Sequence, residues 1–238
     1  MNLPISDRLL ACAGFVAQGE RVADIGCDHG YLSIHLLTTG VASSVIAADI
    51  NEGPLQSAVW NAEKYGVADK IAFYLSDGVQ KIPRDFDVMI CAGMGGDTMI
   101  SILEAAPWLK SNAYRLILQC QSKTPVLRKY LSDNGWQVTK ESVIRDGRFL
   151  YTVMAVDFTP ESPRLTAAQC YIPPALLENP SDTVADYYKW VVGGLEIAAQ
   201  HQKDGDKQKV LSELRALAGQ EAFQWLEMAN GNGGEVAQ

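Results

Sequence analysis

The chain is poor in the residues from which metal centres and disulfide scaffolds are built. Its five cysteines (Cys12, Cys27, Cys91, Cys120 and Cys170) are dispersed, and only three histidines occur in 238 residues. With no C-x-x-C pair and no His at zinc spacing, no metal site is expected, and an odd, scattered set of cysteines reads as reduced thiols in a cytoplasmic protein. Uninterrupted apolar runs of 18 residues are also missing, which argues against a membrane span. The stretch "MNLPISDRLLACAGF" lacks a basic leader and a cleavage pattern, so no signal peptide is expected. Basic residues are a minority, 20 Lys and Arg against 28 Asp and Glu, for a formal net charge of −8. That balance excludes nonspecific nucleic-acid binding over the whole surface, though not one basic face. Residues 120–150 offer such a face: Lys123, Arg128, Lys129, Lys140, Arg145 and Arg148 against Asp133, Glu141 and Asp146, six minus three, or +3. An ordinary solvated rim explains the same cluster equally well.

Apolar residues are plentiful, 47% of the chain, enough to bury one full domain and a smaller appendage. Short runs rich in Val, Ile and aromatics alternate with helix-length segments. Strands are predicted at 21–25, 44–48, 70–75, 86–91 and 114–119, and helices at about 31–39, 53–65, 96–105 and 124–134. Alternation of this kind implies a parallel sheet covered by helices on both faces. A further helix is expected before the first strand, from an N-cap at Ser6 to Gly19. Residues 136–158 then break the pattern, because two strand-like runs separated by "RDG" read as an antiparallel hairpin. A nicotinamide-binding Rossmann domain would instead continue with crossover helices. After Phe158 come five prolines within 160–180, and then helical periodicity at Val184, Tyr187, Tyr188, Val191, Leu195 and Ala198, with Asp182 as a possible N-cap. "KDGD" makes a turn, and Val210, Leu214, Leu217, Ala218 and Trp225 continue a second arm. The expected domains are 1–158, an α/β sheet domain, and 159–238, a helical hairpin ending in a disordered tail.

The chemistry lies in "VADIGCDHGYLSIHL", residues 22–36. A strand runs into a glycine turn and a helix, as in nucleotide-binding proteins, but Asp28 and His29 stand where a dinucleotide fingerprint wants small residues. Gly26 lets backbone approach a ligand. A pyrophosphate beside Asp24 and Asp28 would be repelled, whereas a cationic ligand would be held. S-adenosylmethionine carries a sulfonium, an ammonium and no phosphate. Asp49 ends the second strand 25 residues after Asp24, where an acid accepts from ribose hydroxyls. Asp77, in "LSDGV", follows the third strand and is placed to accept from an adenine amino group. Each acid has a plainer alternative, a helix cap for Asp49 and an Asx turn for Asp77. Their order along successive strand ends is the signal. The fourth strand ends in "CAGMGGDTM", whose Gly93, Gly95 and Gly96 leave room over the reactive end of such a cofactor. The [DN]-P-P-[YF] pattern of exocyclic-amine methylases is missing there, which is compatible with attack by a ring nitrogen.

"ADIGCDHGYL", "AADINEGPLQSA", "SDGV", "CAGMGG" and "ESVIRDGRFLY" occur in order, and this series resembles the bacterial tRNA (adenine-22-N1)-methyltransferases over residues 3–158. The resemblance implies a seven-stranded Rossmann-like class I methyltransferase fold, S-adenosylmethionine as donor, and transfer to N1 of an adenine in the D-loop region of tRNA. It carries cofactor-binding roles onto Asp24, Gly26, Asp49, Asp77, Gly93, Met94 and Gly95, with Gly96 facing substrate. Cys27 stands where the family has Ser or Thr, a departure its compactness makes harmless. Adenine N1 lies on the Watson–Crick edge, so the base must be unpaired or flipped. Asp28 is then the candidate to hold N6 or receive its proton, and His29 to orient substrate or simply pack. Tyr31 would stack on a base or pack, and Lys123, Arg128 and Lys129 would grip phosphates. Two competing readings are a methyltransferase for a small molecule and a non-catalytic module binding cofactor or RNA. Monomer and homodimer both remain open.

Overall fold

The computed structural model describes residues 3–201, 205–220 and 223–228. By packing, the chain divides into two compact units, Met1–Pro163 and Arg164–Gln238.

The first unit is built on a seven-stranded sheet of order β3-β2-β1-β4-β5-β7-β6. Its strands are β1 (Arg21–Ile25), β2 (Ser44–Asp49), β3 (Ile71–Leu75), β4 (Val88–Gly95), β5 (Arg115–Ser122), β6 (Trp136–Asp146) and β7 (Phe149–Phe158). β1 to β5 pair in parallel, and β7 is antiparallel to both β5 and β6. The predicted five parallel strands closed by a hairpin are therefore present. Central strands covered on both faces read as continuous apolar runs, such as "VMIC" in β4 and "LIL" in β5. The helices are α1 (Asp7–Ala13), α2 (Tyr31–Thr38), α3 (Glu52–Lys64), α4 (Gly96–Glu104) and α5 (Thr124–Asp133). One core joins α1, α2 and α3 to the sheet through Cys12, Leu32, Ile34 and Ala58. The other joins α4 and α5 through Met99, Ile102, Leu127 and Leu131.

Two expectations need correction here. α1 stops at Ala13, with Gly14 as its C-cap, and Ser6 makes no side-chain capping bond; the apolar run to Gly19 mimics a longer helix because Phe15 and Val16 pack against the core in a turn. β4 and β5 run to Gly95 and Ser122, beyond the predicted ends, because β4 continues past register shifts around Met94. The glycines of "AGMGG" thus begin inside a bulged strand end.

The second unit contains α6 (Ala167–Tyr171), α7 (Pro174–Leu177), α8 (Asp182–His201), α9 (Gly205–Ala218) and α10 (Trp225–Met228). Of the side chains predicted to form the apolar stripe of α8, Val184, Tyr187, Tyr188, Val191 and Leu195 are buried, and Ala198 is half-buried. Tyr188 Oη donates to the Leu214 carbonyl at 3.1 Å, joining α8 to α9. Ser181 caps α8 in place of Asp182, its Oγ accepting from Val184 N at 3.2 Å. Trp225 belongs to the separate α10 rather than to α9. Part of "KDGD" and the tail from residue 229 lie outside the described residues.

Candidate active site

Open parallel sheets bind ligands beyond the carboxyl ends of their strands, where the strand order reverses. Here β1 lies between β2 and β4, and beyond it lies a cavity of about 260 Å³. Asp24, Gly26, Asp28, His29 and Tyr31 line one side of it, and Gly93 and Met94 line another. Seven of the predicted site residues are thus brought together.

The turn after β1 is made by backbone conformations that few residues accept. Gly26 and Gly30 have φ of 74° and 72°, and Asp28, unusually for a non-glycine, has φ of 51°. A Cβ at Gly26 would stand 2.3 Å from Met94 Cε, so the Met94 side chain packs over this turn where a larger residue would displace it. Gly26 N and Cys27 N donate to the Ala48 carbonyl at 2.8 and 3.0 Å, tying the turn to β2. Asp28 N donates to Asp49 Oδ2 at 3.1 Å, and Asn51 N donates to Asp49 Oδ1 at 2.8 Å. Asp49 therefore fixes the strained residue, yet each carboxylate oxygen keeps a second lone pair to offer a ligand.

Asp24 is buried, and its Oδ2 accepts from Ser33 Oγ at 2.6 Å. Burial pushes its carboxyl up to about 6, against the lowering effect of the Ser33 hydrogen bond, and the nearby Asp49 charge adds to the rise. A cation entering the cavity would reverse that penalty. Cys27 is buried too, and desolvation followed by the charges of Asp24 and Asp49 raises its thiol, so it serves as a compact neutral residue. Asp28 and His29 are half-exposed or more, with His29 Nε2 3.7 Å from Asp28 Oδ1. His29 also lies 5.9 Å from the Tyr31 ring.

Other candidates lie elsewhere. Asp77 lines a separate cavity of about 220 Å³ with Gly78, Gln80, Thr98 and Ser101. Gly95 and Gly96 pack against the β5–α5 connection, where added Cβ atoms would stand 3.0 Å from Ser122 Oγ and 2.9 Å from the Lys123 carbonyl. Lys123, with φ of 59°, pairs with Asp97, and Lys129 pairs with Asp133 at 2.7 Å; both ammonium groups remain exposed. Arg128 must be withdrawn from the phosphate-gripping set. Its side chain is fully buried and its Nη2 lies 2.6 Å from Glu141 Oε1, so it cannot reach a polyanion in solvent. The apparent basic cluster thereby loses one cation and one acid. No group of His, Cys, Asp and Glu suited to a metal occurs among the described residues, and no helix among them is long and apolar enough to cross a membrane.

Arg8 escaped the sequence reading. It reaches from α1 to line the cavity, and its Nη1 donates to Gln119 Oε1 at 3.2 Å. The same Gln119 oxygen accepts from Gly93 N at 2.9 Å, and Arg8 Nε stands 3.5 Å from Asp146 Oδ2. Gln119 is fully buried. Its signal was available: a glutamine inside the apolar run "RLILQC" is a buried polar group that needs partners.

A family model described as a methyltransferase domain matches residues 5–154. The tRNA (adenine(22)-N(1))-methyltransferase of Bacillus subtilis is 32% identical over 157 residues, 66% of this chain and 66% of that protein. A Mycoplasma pneumoniae protein assigned as a tRNA methyltransferase is 33% identical over 177 residues, 71% of this chain and 80% of the relative. Among solved structures, a Streptococcus pneumoniae protein assigned as a tRNA (m1A22) methyltransferase, in complex with S-adenosyl-L-methionine, aligns with a TM-score of 0.79 at 34% identity, covering 88% of this chain and 99% of that one.

Proposed function

This chain belongs to the bacterial tRNA (adenine-22-N1)-methyltransferase family, and from that premise we propose that it moves a methyl group from S-adenosylmethionine to N1 of adenine 22 in tRNA. One observation carries the reading from the chain itself: the cavity beyond β1 is walled by Asp24 and Asp28 beside Gly26, whose φ of 74° suits glycine. That lining suits a compact cation and disfavours a pyrophosphate. When bound, the donor supplies an electrophilic methyl on a sulfonium.

The residues divide the remaining work. Asp24 and Asp28 supply negative charge, Asp49 accepts from ribose hydroxyls, and Asp77 accepts from the adenine amino group of the donor. Gly26, Gly93 and Met94 shape the passage to the methyl, and Gly95 and Gly96 let that strand end pack against the β5–α5 connection. The N1 lone pair of the flipped adenine forms the new C–N bond as the C–S bond breaks, its electrons passing to sulfur. The product base carries one positive charge, which loss of an N6 proton neutralises. Asp28, exposed on its side chain, is the acceptor for the N6 group, and His29 and Tyr31 orient the base. Positioning and charge complementarity supply the acceleration. Lys123 and Lys129 contact phosphates. We read the unit Met1–Pro163 as the catalytic domain and Arg164–Gln238 as a helical appendage that enlarges the docking surface.

The test is direct. Incubation with methyl-labelled donor and unmodified tRNA is expected to give 1-methyladenosine at position 22 on nucleoside analysis. Label in another nucleoside, in small molecules only, or in no product would reject the assignment.

A further inference from the structure

The tip of the β6–β7 hairpin has no part in the reaction as described, yet the sheet delivers it to the cavity. Because β7 is antiparallel to both of its neighbours, β6 ends at the same sheet edge as β1 and β4. Asp146, the last residue of β6, is paired across the hairpin with Phe149, and Ile144 with Tyr151. Directly paired residues share a face of the sheet, so Phe149 and Tyr151 lie on the face that carries Asp146. Asp146 is held by Arg8, which lines the cavity. Pairing of β7 with β5 ends at Thr152 and Cys120, so Phe149 lies past the end of β5, paired only with Asp146, the residue that Arg8 links to the cavity wall.

Phe149 is a large apolar ring left 52% exposed. The guanidinium of Arg148 lies 4.9 Å from its centroid, and the Tyr151 ring lies 6.1 Å away. The register is already set by the inner pairs and by Gly147, whose φ is 59°, so the hairpin does not need this ring in order to form. Arg148 is exposed beside it, while the acid of Asp146 is matched by Arg8. We propose that Phe149, with Tyr151 and Arg148, is a stacking platform for an unpaired tRNA base next to the target adenine. This rests on the methyl-transfer reading above. Flipping the adenine removes a stacking partner from its neighbour, and an aromatic face backed by a guanidinium replaces it. Stacking needs no matched hydrogen bonds, and the Arg148 guanidinium complements a neighbouring phosphate.

The platform is tested with full-length protein and unmodified tRNA. Phe149→Ala is expected to raise KM for tRNA about tenfold or more, with the Kd for S-adenosylmethionine and the melting midpoint as in the wild type; Phe149→Trp restores KM. A 4-thiouridine placed beside position 22 is expected to crosslink to the peptide that contains residue 149. An unchanged KM, failure of Trp to restore it, a crosslink confined to another peptide, or loss of fold or donor affinity in Phe149→Ala would overturn the proposal. Binding of the same tRNA without donor separates the two readings. A wild type that binds through Phe149 but forms no 1-methyladenosine keeps the platform and sinks the reaction.

Discussion

Arg128 and Glu141 meet inside the protein: Nη2 of the arginine lies 2.6 Å from Oε1 of the glutamate, and neither side chain reaches solvent. Desolvation raises the Glu141 carboxyl, and the adjacent guanidinium works against that rise. Removing one partner strands a buried charge, so Arg128→Met is expected to cost about 3–5 kcal/mol of stability, and the double variant Arg128→Met with Glu141→Leu less. Calorimetry on the single and double variants checks this. The salt dependence of tRNA binding should not change with Arg128→Met, whereas Lys123→Ala with Lys129→Ala should flatten it. A flatter slope in the arginine variant would return Arg128 to the phosphate-binding face.

Asp24 carries a pH dependence whose sign follows from its burial. Its folded-state value of about 6 lies above the ordinary 3.8, so between those values the native protein binds the extra proton. Its contribution to stability is therefore full below about pH 4 and is lost as pH rises through 6. Asp24→Asn should remove that slope and stabilise the ligand-free protein at pH 7 by about 2–3 kcal/mol, on the scale of 1.36 kcal/mol per pH unit. Donor affinity should move the other way, falling in the wild type below pH 6 and falling at neutral pH in the variant. Denaturant titrations and calorimetric binding across pH 4–8 would show it. A variant that binds the donor normally would free Asp24 from its electrostatic role.

The parallel strands were legible because each is a short Val- and Ile-rich run ending in a turn residue, and the placement of Asp24, Asp28 and Asp49 along one edge was legible because strand ends and the turns after them sit there by topology. What stayed hidden was contact between distant segments. Nothing in "SDRLL" says that Arg8 crosses to Gln119, a separation of 111 residues. Arg128 misled for a related reason: on α5 it reads as one more surface cation, and only the β6 strand that brings Glu141 to it makes it a core residue. The α1 end was misplaced because a buried turn and a helix can share apolar spacing.

Asp49 holds two backbone N–H groups, and its proposed part in donor binding is open to substitution. Both its oxygens hold backbone N–H groups, at Asp28 and Asn51, and the carboxylate is also the proposed ribose acceptor. Asp49→Ala should weaken donor binding by about 1–3 kcal/mol, the scale of lost charge-assisted hydrogen bonds. Asp49→Asn keeps one acceptor oxygen and should recover part of the loss. Equal affinity in wild type and Asp49→Ala, measured by calorimetric titration, would place the ribose elsewhere.

Arg8 links three parts of the site that the chain keeps far apart: the Gly93 turn through Gln119, the hairpin tip through Asp146, and the cavity wall itself. Gly93 has φ of 78° and a Cβ there would stand 3.1 Å from Arg8 Nη1, so the guanidinium and the turn are packed as one piece. Truncation to Ala leaves Asp146 without that cation and Gln119 with one donor fewer. Misplacement of a turn beside the reacting atoms lowers kcat, and Arg8→Ala is expected to lose about one to two orders of magnitude while the melting midpoint moves little, because the side chain lies at the rim of the core. Arg8→Lys keeps the charge but cannot bond Gln119 and Asp146 with the same fork, so it should recover only part of the lost turnover. Single-turnover rates beside tRNA and donor Kd values separate these effects. A normal rate in Arg8→Ala would mean that Gln119 alone holds the Gly93 turn.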